Sequence, residues 1–130
     1  MPRYIDGFVL PVPRGNVAGY PTVAPKGGKH WKEYGALEYI ECVADDVPPG
    51  KTTSFPRSVK LQDDEVVVFS YIVYKSRKHR DEVNAKVMAD PRIAKMDPKT
   101  MPFDGKRMIF GGFSAVVGLG PARAARATSP

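Results

Sequence analysis

The chain has 130 residues, a formal net charge of +6, 42% hydrophobic and 26% charged residues, and one cysteine. These values are typical of a single globular domain that buries its own core, and one cysteine excludes an intramolecular disulfide. No apolar run approaches the ~20 residues of a membrane span, and the apolar run at the start is too short for a secretory signal. We therefore expect a cytoplasmic protein without membrane association.

The basic excess raises the question of an anionic partner. A nucleic-acid-binding surface usually shows a basic stripe with exposed aromatic residues interleaved. Here the basic residues are scattered among acidic ones, except in the run Lys75–Arg80, which Asp81 and Glu82 follow at once. This pattern argues against nucleic acid and favours a solvated face. The chain has two histidines without ligand spacing and no phosphate loop, so no metal and no cofactor are predicted.

The first part of the chain predicts a strand, a helix and a second strand. Residues Tyr4–Val12 alternate as a strand does. Apolar residues then recur at three- and four-residue steps from 16 to 35, the spacing of one helical face. Two prolines and two glycines oppose a helix in the first part of that segment, so the helix is secure only over Lys29–Tyr34. Ala36–Val43 is the second strand.

The second part predicts a strand, a helix and a final strand. Asp45–Lys51 has loop composition, and Ser58–Leu61 is a short extended piece. Val66–Tyr74 is β-branched and aromatic throughout. A helix follows over Ser76–Ala89, and Arg107–Phe113 is the last strand.

This order of elements is the ferredoxin-like βαββαβ arrangement, an α+β fold. It predicts a four-stranded antiparallel sheet with two helices on one face. We expect the domain to span residues 1–117 and residues 118–130 to form a flexible C-terminal tail.

The strand Val66–Tyr74 is apolar on both of its faces. Two helices cover only one face of a four-stranded sheet, so another surface must cover the other face. An exposed apolar face of that size on a monomer promotes aggregation. The strand pattern therefore predicts a homodimer in which two copies pack sheet against sheet.

Several short motifs resemble a bacterial family catalogued as domain of unknown function 1428 (DUF1428), over roughly residues 3–114. They are Tyr4–Phe8, Glu33–Leu37, Glu41–Cys42, Asp45–Pro48, Glu65–Ser70, Met88–Arg92 and, most specific of all, Met101–Phe113. The resemblance implies a dimeric α+β barrel, similar to the fold of antibiotic-biosynthesis monooxygenases. It implies no particular reaction.

Three charged residues stand on otherwise apolar strands: Asp6, Glu41 and Arg107. A buried charge needs a partner, so these residues are expected to pair with one another or to line a cavity for a polar ligand. A structural ion pair, or side chains at the open edge of the sheet, is the favoured interpretation, because ion-pair networks resemble functional sites.

Aromatic residues near the first helix form a second candidate group, in which Trp31 and Tyr39 would contact a flat apolar ligand. Core packing is the alternative, and it is the favoured interpretation for Trp31 and for the neighbouring Tyr34. Together the two groups predict a ligand site made of Asp6, Trp31, Tyr39, Glu41 and Arg107, with no assigned catalytic residue.

The sequence thus favours a small cytoplasmic homodimer that binds a small organic molecule between helices and sheet. If it is an enzyme, the fold resemblance favours cofactor-independent oxygenation or isomerisation of an aromatic compound. The alternatives are a non-catalytic interaction or stress-response module and, with less support, an RNA-binding protein.

Overall fold

A computed structural model describes residues 2–17, 29–94 and 103–119 of the chain. Its four strands are β1 (Tyr4–Pro13), β2 (Glu38–Val43), β3 (Glu65–Tyr74) and β4 (Ile109–Ser114). They form one antiparallel sheet in the order β2-β3-β1-β4. The predicted α+β, ferredoxin-like fold is confirmed.

Helical segments are short except for one. They are α1 (Arg14–Val17), α2 (residues 29–33), α3 (Phe55–Ser58), α4 (Arg77–Ala89) and α5 (Pro91–Ala94). Helix α4 begins at a Ser76 cap, whose hydroxyl accepts a hydrogen bond from the His79 backbone N–H at 3.1 Å. After α2 the chain turns at Gly35, whose φ of 114° favours glycine. None of the described helices has the length and apolar character needed to cross a bilayer.

Strand register divides the sheet into two faces. Side chains of Asp6, Phe8, Ile72 and Tyr39 share one side, which we call the helix-facing side, because directly paired residues point the same way. Helix α4 packs there, where Val83 and Val87 join Ile72 and Tyr74 in the main core cluster. The opposite side, which we call the open face, has no long helix over it in the described part of the chain.

The open face carries exposed apolar residues. Phe69, Ile109 and Phe113 lie on it with 40%, 45% and 63% of their surface exposed. One end is covered by the segment from residue 44 to residue 61, whose Val59 is buried against Val9 and Val67. The remainder of this face has the apolar character that the pattern of β3 predicts.

Several local predictions differ from the structure, beginning with the second strand, which starts at Glu38 and not at Ala36. The extended piece expected over Ser58–Leu61 is wrong, because a helical turn, α3, occupies residues 55–58. Its Ser54 hydroxyl caps the turn by accepting from the Arg57 backbone N–H at 3.1 Å, and Pro56 lies in the first turn. Strand β4 begins two residues later than expected, since Arg107 still belongs to the preceding turn, where its N–H bonds the Asp104 carbonyl.

Other predictions fall outside the described residues. These are the kinked first part of the predicted helix, over residues 18–28, and most of the expected tail, over residues 120–130.

Candidate functional site

A network of polar side chains lies between α4 and the helix-facing side of the sheet. Its central residue is Asn84, whose Oδ1 accepts a hydrogen bond from Trp31 Nε1 at 3.0 Å and another from the Tyr74 hydroxyl at 3.2 Å. Asn84 also lies beside the carboxyl group of Asp6 and acts to lower its pKa. One amide side chain therefore connects α2, α4 and both central strands.

The Asp6 carboxyl group is the buried acid of this network. Arg80 Nη1 donates to Asp6 Oδ1 at 3.1 Å, and Arg80 belongs to α4, one turn before Asn84. Burial raises the pKa of Asp6 above its ordinary value of 3.8, while Arg80, Asn84 and Tyr74 act in the opposite direction. Since the net pKa shift is upward, a proton binds this carboxyl group more readily than an exposed aspartate.

Arg80 is held from a second side by the ring of Tyr4. Its guanidinium carbon lies 4.9 Å from the ring centroid, within the range of a cation–π contact. The Tyr4 ring in turn lies over Gly112 of β4, where an added Cβ would come within 2.6 Å of a ring carbon. The close packing of β4 under Tyr4 thus fixes the position of Arg80.

Beside this network, Tyr39 and Glu41 form a second polar pair on β2. The Tyr39 hydroxyl donates to Glu41 Oε2 at 3.0 Å, and the Tyr39 ring lies 6.4 Å from the Trp31 ring. Burial, with a smaller contribution from Glu41, raises the pKa of Tyr39 far above its ordinary value. Burial raises the pKa of Tyr74 in the same way. Both hydroxyl groups therefore remain protonated and act as hydrogen-bond donors at physiological pH.

Four of the five predicted site residues share this region. Trp31 contacts Tyr39 directly, and it reaches Asp6 through Asn84, while Glu41 is joined through Tyr39. The expected direct pairing among Asp6, Glu41 and Arg107 is wrong, because Asp6 pairs with Arg80 of α4 instead.

Arg107 lies at the other end of the sheet. Its Nη1 and Nη2 donate to the two carboxylate oxygens of Glu65 at 2.7 and 2.6 Å, and its Nε donates to Asp104 Oδ2 at 2.9 Å. Glu65 is paired with Pro13, seven residues along β1 from Asp6, which corresponds to about 23 Å of strand. A single cleft bordered by Trp31, Tyr39 and Arg107 is therefore excluded.

The Arg107 cluster has the geometry of a structural clamp. The bidentate contact with Glu65 fixes the turn before β4 to the start of β3, and hydrogen bonding to Arg107 lowers the pKa of Glu65. Arg107 Nη1 also donates to the Lys60 carbonyl at 3.1 Å. The guanidinium group is thus occupied by protein acceptors.

Sequence reasoning missed Arg80, Asn84 and Tyr74. A signal for the first two was present, since Arg80, Val83, Asn84 and Val87 follow the i, i+3, i+4, i+7 spacing of one helix face. Arg80 was assigned to a solvated basic run, although this spacing places it on the buried side. Among the described residues, no cluster of three potential metal ligands accompanies the network.

Comparison with known proteins identifies close relatives. The chain is 48% identical over 115 residues to "Uncharacterized protein YbaA" of Escherichia coli strain K12, covering 88% of this chain and 97% of the relative. A protein of the same name from Shigella flexneri gives the same values.

Among solved structures, the chain is similar to a dimeric ferredoxin-like protein from an uncultured marine organism. The TM-score is 0.56 with 11% sequence identity, over 92% of this chain and 100% of that one. At this identity the likeness supports the fold alone.

The sequence profile described as "Protein of unknown function (DUF1428)" matches residues 3–105 of the chain. This match covers most of the chain, and the curated relatives match nearly over their full length. The protein belongs to the DUF1428 family.

Proposed function

We propose that the protein is a homodimer that binds a small organic molecule on the helix-facing side of its sheet. The observation that carries the proposal is the network around Asp6 and Asn84, a buried group of polar side chains in an otherwise apolar layer. Buried polar groups of this kind are costly unless they are satisfied, and they concentrate at functional sites.

The chemistry of the network defines a class of ligand. Trp31 and Tyr39 supply aromatic surfaces 6.4 Å apart, and Phe8 packs against the same cluster. Asp6 and Arg80 supply an acceptor and a cation. A flat aromatic molecule with a hydroxyl or carbonyl group fits this combination of apolar wall and convergent polar groups.

The same residues support a proton-transfer step. Asp6, with its raised pKa, would act as the general base that takes a proton from an acidic position of the ligand, and the Arg80 guanidinium beside it would stabilise the resulting anion. Reaction of that anion with molecular oxygen, or its reprotonation at another atom, would give a cofactor-independent oxygenation or isomerisation. Oxygen consumption during incubation with a bound ligand distinguishes the first from the second.

The homodimer rests on the open face. Three of its apolar residues, Phe69, Ile109 and Phe113, are at least 40% exposed. The ferredoxin-like protein that resembles this chain is described as dimeric. A second copy would cover the exposed residues, and sedimentation velocity at several concentrations tests this. A stable monomer throughout would contradict the dimer. The free thiol of Cys42 on the same face supports a reducing, cytoplasmic location.

Ligand binding is tested by a thermal-shift screen of aromatic acids, quinones and nucleotides, followed by calorimetry on any hit. Matched variants are Trp31→Leu and Asp6→Asn at the network and Cys42→Ser on the open face as the control. We expect a hit whose affinity falls at least tenfold in the first two variants and is unchanged in the third.

Two results would contradict the ligand proposal. One is the lack of any hit with a protein that is dimeric, which would favour a non-catalytic interaction module. The other is a hit whose affinity the Trp31 and Asp6 variants leave intact, since that ligand would bind elsewhere.

A further inference from the structure

The open face contains a groove at one corner. Cys42, Val43, Phe55 and Phe69 line it together with Ala44, Asp45, Val47 and Val67, and its volume is about 230 Å³. Sites for organic ligands usually measure about 300–1,000 Å³ and carry several polar groups. This groove is smaller and almost wholly apolar, so its size and chemistry suit one aromatic side chain.

The strand register places the groove and a protruding aromatic ring at opposite corners of the same face. Cys42, Phe69, Val9 and Ile109 form one row across the four strands, and Glu38, Val73, Ile5 and Phe113 form another. The area between the rows is nearly square, about 14 Å across three strand spacings and about 14 Å along four residues. Cys42 and Phe113 lie on one diagonal, and Glu38 and Ile109 lie on the other.

Phe113 has the largest exposed fraction of the large apolar side chains on the strands of this face. It is 63% exposed, and its ring rests on the directly paired glycines Gly7 and Gly111, with a ring carbon 3.8 and 3.6 Å from where their Cβ atoms would be. The glycines therefore leave part of the ring in contact with the sheet and the rest of it exposed.

We propose that the Phe113 ring of each copy packs into the groove of the other copy, around a two-fold axis along the Glu38–Ile109 diagonal. The proposal rests on the homodimer proposed above and specifies its geometry. A two-fold interface must be self-complementary, so a groove and the group that fills it must exchange under the axis. Rotation by 180° about this diagonal brings the Phe113 corner of one copy onto the groove corner of the other.

The segment 44–61 excludes two of the competing axes, and Glu38 argues against the third. It overlies the sheet beyond the Cys42 row, in the ~10 Å layer that a second sheet would occupy. An axis parallel to the strands would place the two copies of this segment in the same space, and an axis along the Cys42–Phe113 diagonal would bring both to one corner. An axis across the strands would set each apolar groove against the carboxylate of Glu38, which is costly.

The remaining axis corresponds to orthogonal packing of two sheets, one of the two common arrangements. It places the segment 44–61 of each copy beyond the β4 edge of the other. Phe69, which already packs edge-on against Phe55 at 6.2 Å, would meet the partner ring. The two Glu38 side chains would lie at the rim of the interface, where water can solvate them.

Site-directed coupling of thiols tests the axis. The variant Phe113→Cys, which retains Cys42, is treated with the shortest bifunctional methanethiosulfonate at a concentration where sedimentation shows a dimer. We expect most of the protein to migrate as a covalent dimer on a non-reducing gel. Wild type and Phe110→Cys, which is adjacent in sequence but points to the helix-facing side, should remain uncoupled.

Two double variants complete the test. Cys42→Ser/Ile109→Cys should couple, because Ile109 lies on the proposed axis and meets its own copy. Cys42→Ser/Phe113→Cys should not couple, and coupling there would overturn the proposal in favour of the other diagonal. If Phe113→Cys is dimeric but remains uncoupled, the axis is wrong and the homodimer stands. If the wild type is monomeric at every concentration, the homodimer itself is wrong.

Discussion

The two faces of the sheet differ in which side chains they bury and what covers them. The helix-facing side is closed by α4 and contains polar groups, including Asp6, which partners within the same chain satisfy. The open face carries no comparable polar network among the described residues, and its large apolar side chains are exposed. Polar groups are thus placed where the chain itself can satisfy them, and apolar surface is left where another surface can cover it.

The largest expected effect is the loss of the dimer after a substitution on the open face. Phe113→Asp puts a carboxylate into the apolar groove of the partner copy, and we expect the dissociation constant of the dimer to rise roughly 100-fold or more, as for a buried aromatic anchor. Sedimentation velocity over a dilution series measures it. Phe110→Asp is the matched control, since Phe110 is even more exposed, at 71%, but lies on the other face. Equal loss of dimer in both variants would contradict the assignment of faces.

The next largest effect is a loss of stability after a substitution in the helix-facing network. Asn84→Ala removes the acceptor of both Trp31 and Tyr74. Tyr74 can still bond Asp6, but Trp31 is left without a partner, so the free energy of unfolding should fall by about 1–3 kcal/mol. Urea unfolding followed by Trp31 fluorescence reports it. Lys86→Ala, on the exposed side of α4, should change stability little. If Asn84→Ala leaves the free energy of unfolding unchanged, the hydrogen bonds of Asn84 do not stabilise the fold.

A comparable effect tests the contact that holds Arg80 in position. Gly112→Ala forces a methyl group against the Tyr4 ring and should cost about 1–3 kcal/mol. The control is Gly105→Ala, where an added Cβ meets nothing within 4 Å. We expect the first variant also to weaken binding of any ligand that depends on Asp6 and Arg80. Similar stability of the two variants would show that Tyr4 can move away.

The smallest effect concerns pH. His79 Nδ1 accepts a hydrogen bond from the Lys75 backbone N–H at 3.0 Å, and burial lowers the pKa of His79 below 6.5. The folded state therefore binds this proton less readily than the unfolded state, so this contribution to stability is present above about pH 6.5 and is lost as the pH falls through the folded-state pKa.

Thermal unfolding between pH 7.5 and pH 5 measures this loss. His79→Gln should reduce the fall in Tm by roughly 2–4 °C, the effect of one weak hydrogen bond in a chain of this size. Lys78→Gln, its exposed neighbour, should keep the full pH dependence. If the Tm of His79→Gln falls as much as that of the wild type, titratable groups other than His79 cause the loss of stability.

The sequence predicted the fold well because its strands carry strong local patterns. The two-sided apolar run of β3 and the alternation of β1 indicate a buried sheet without any knowledge of partners. The pairing of charges was not predictable in the same way. Whether Arg107 meets Glu65 or Asp6 depends on which strands are neighbours and on their register, which long-range packing determines.

The same limit explains the missed half of the candidate site. Asp6 was recognised as a charge on an apolar strand, but its partner Arg80 lies 74 residues away within a run of basic residues. Helical periodicity does place Arg80 on the Val83 side of α4. Local composition suggests a solvated Arg80, whereas helical periodicity places it on the buried side, as the structure does.

The position of β1 has a consequence for how the chain folds. β1, the first of the described strands, lies between β3 and β4, and its pairing with β4 joins residues 100 or more positions apart, such as Tyr4 and Ser114. Contacts of such long range slow folding, and a growing chain cannot complete its sheet until residues 109–114 have been synthesised. Until then one edge of β1 stays unpaired, so we expect chaperone engagement to persist until β4 is made.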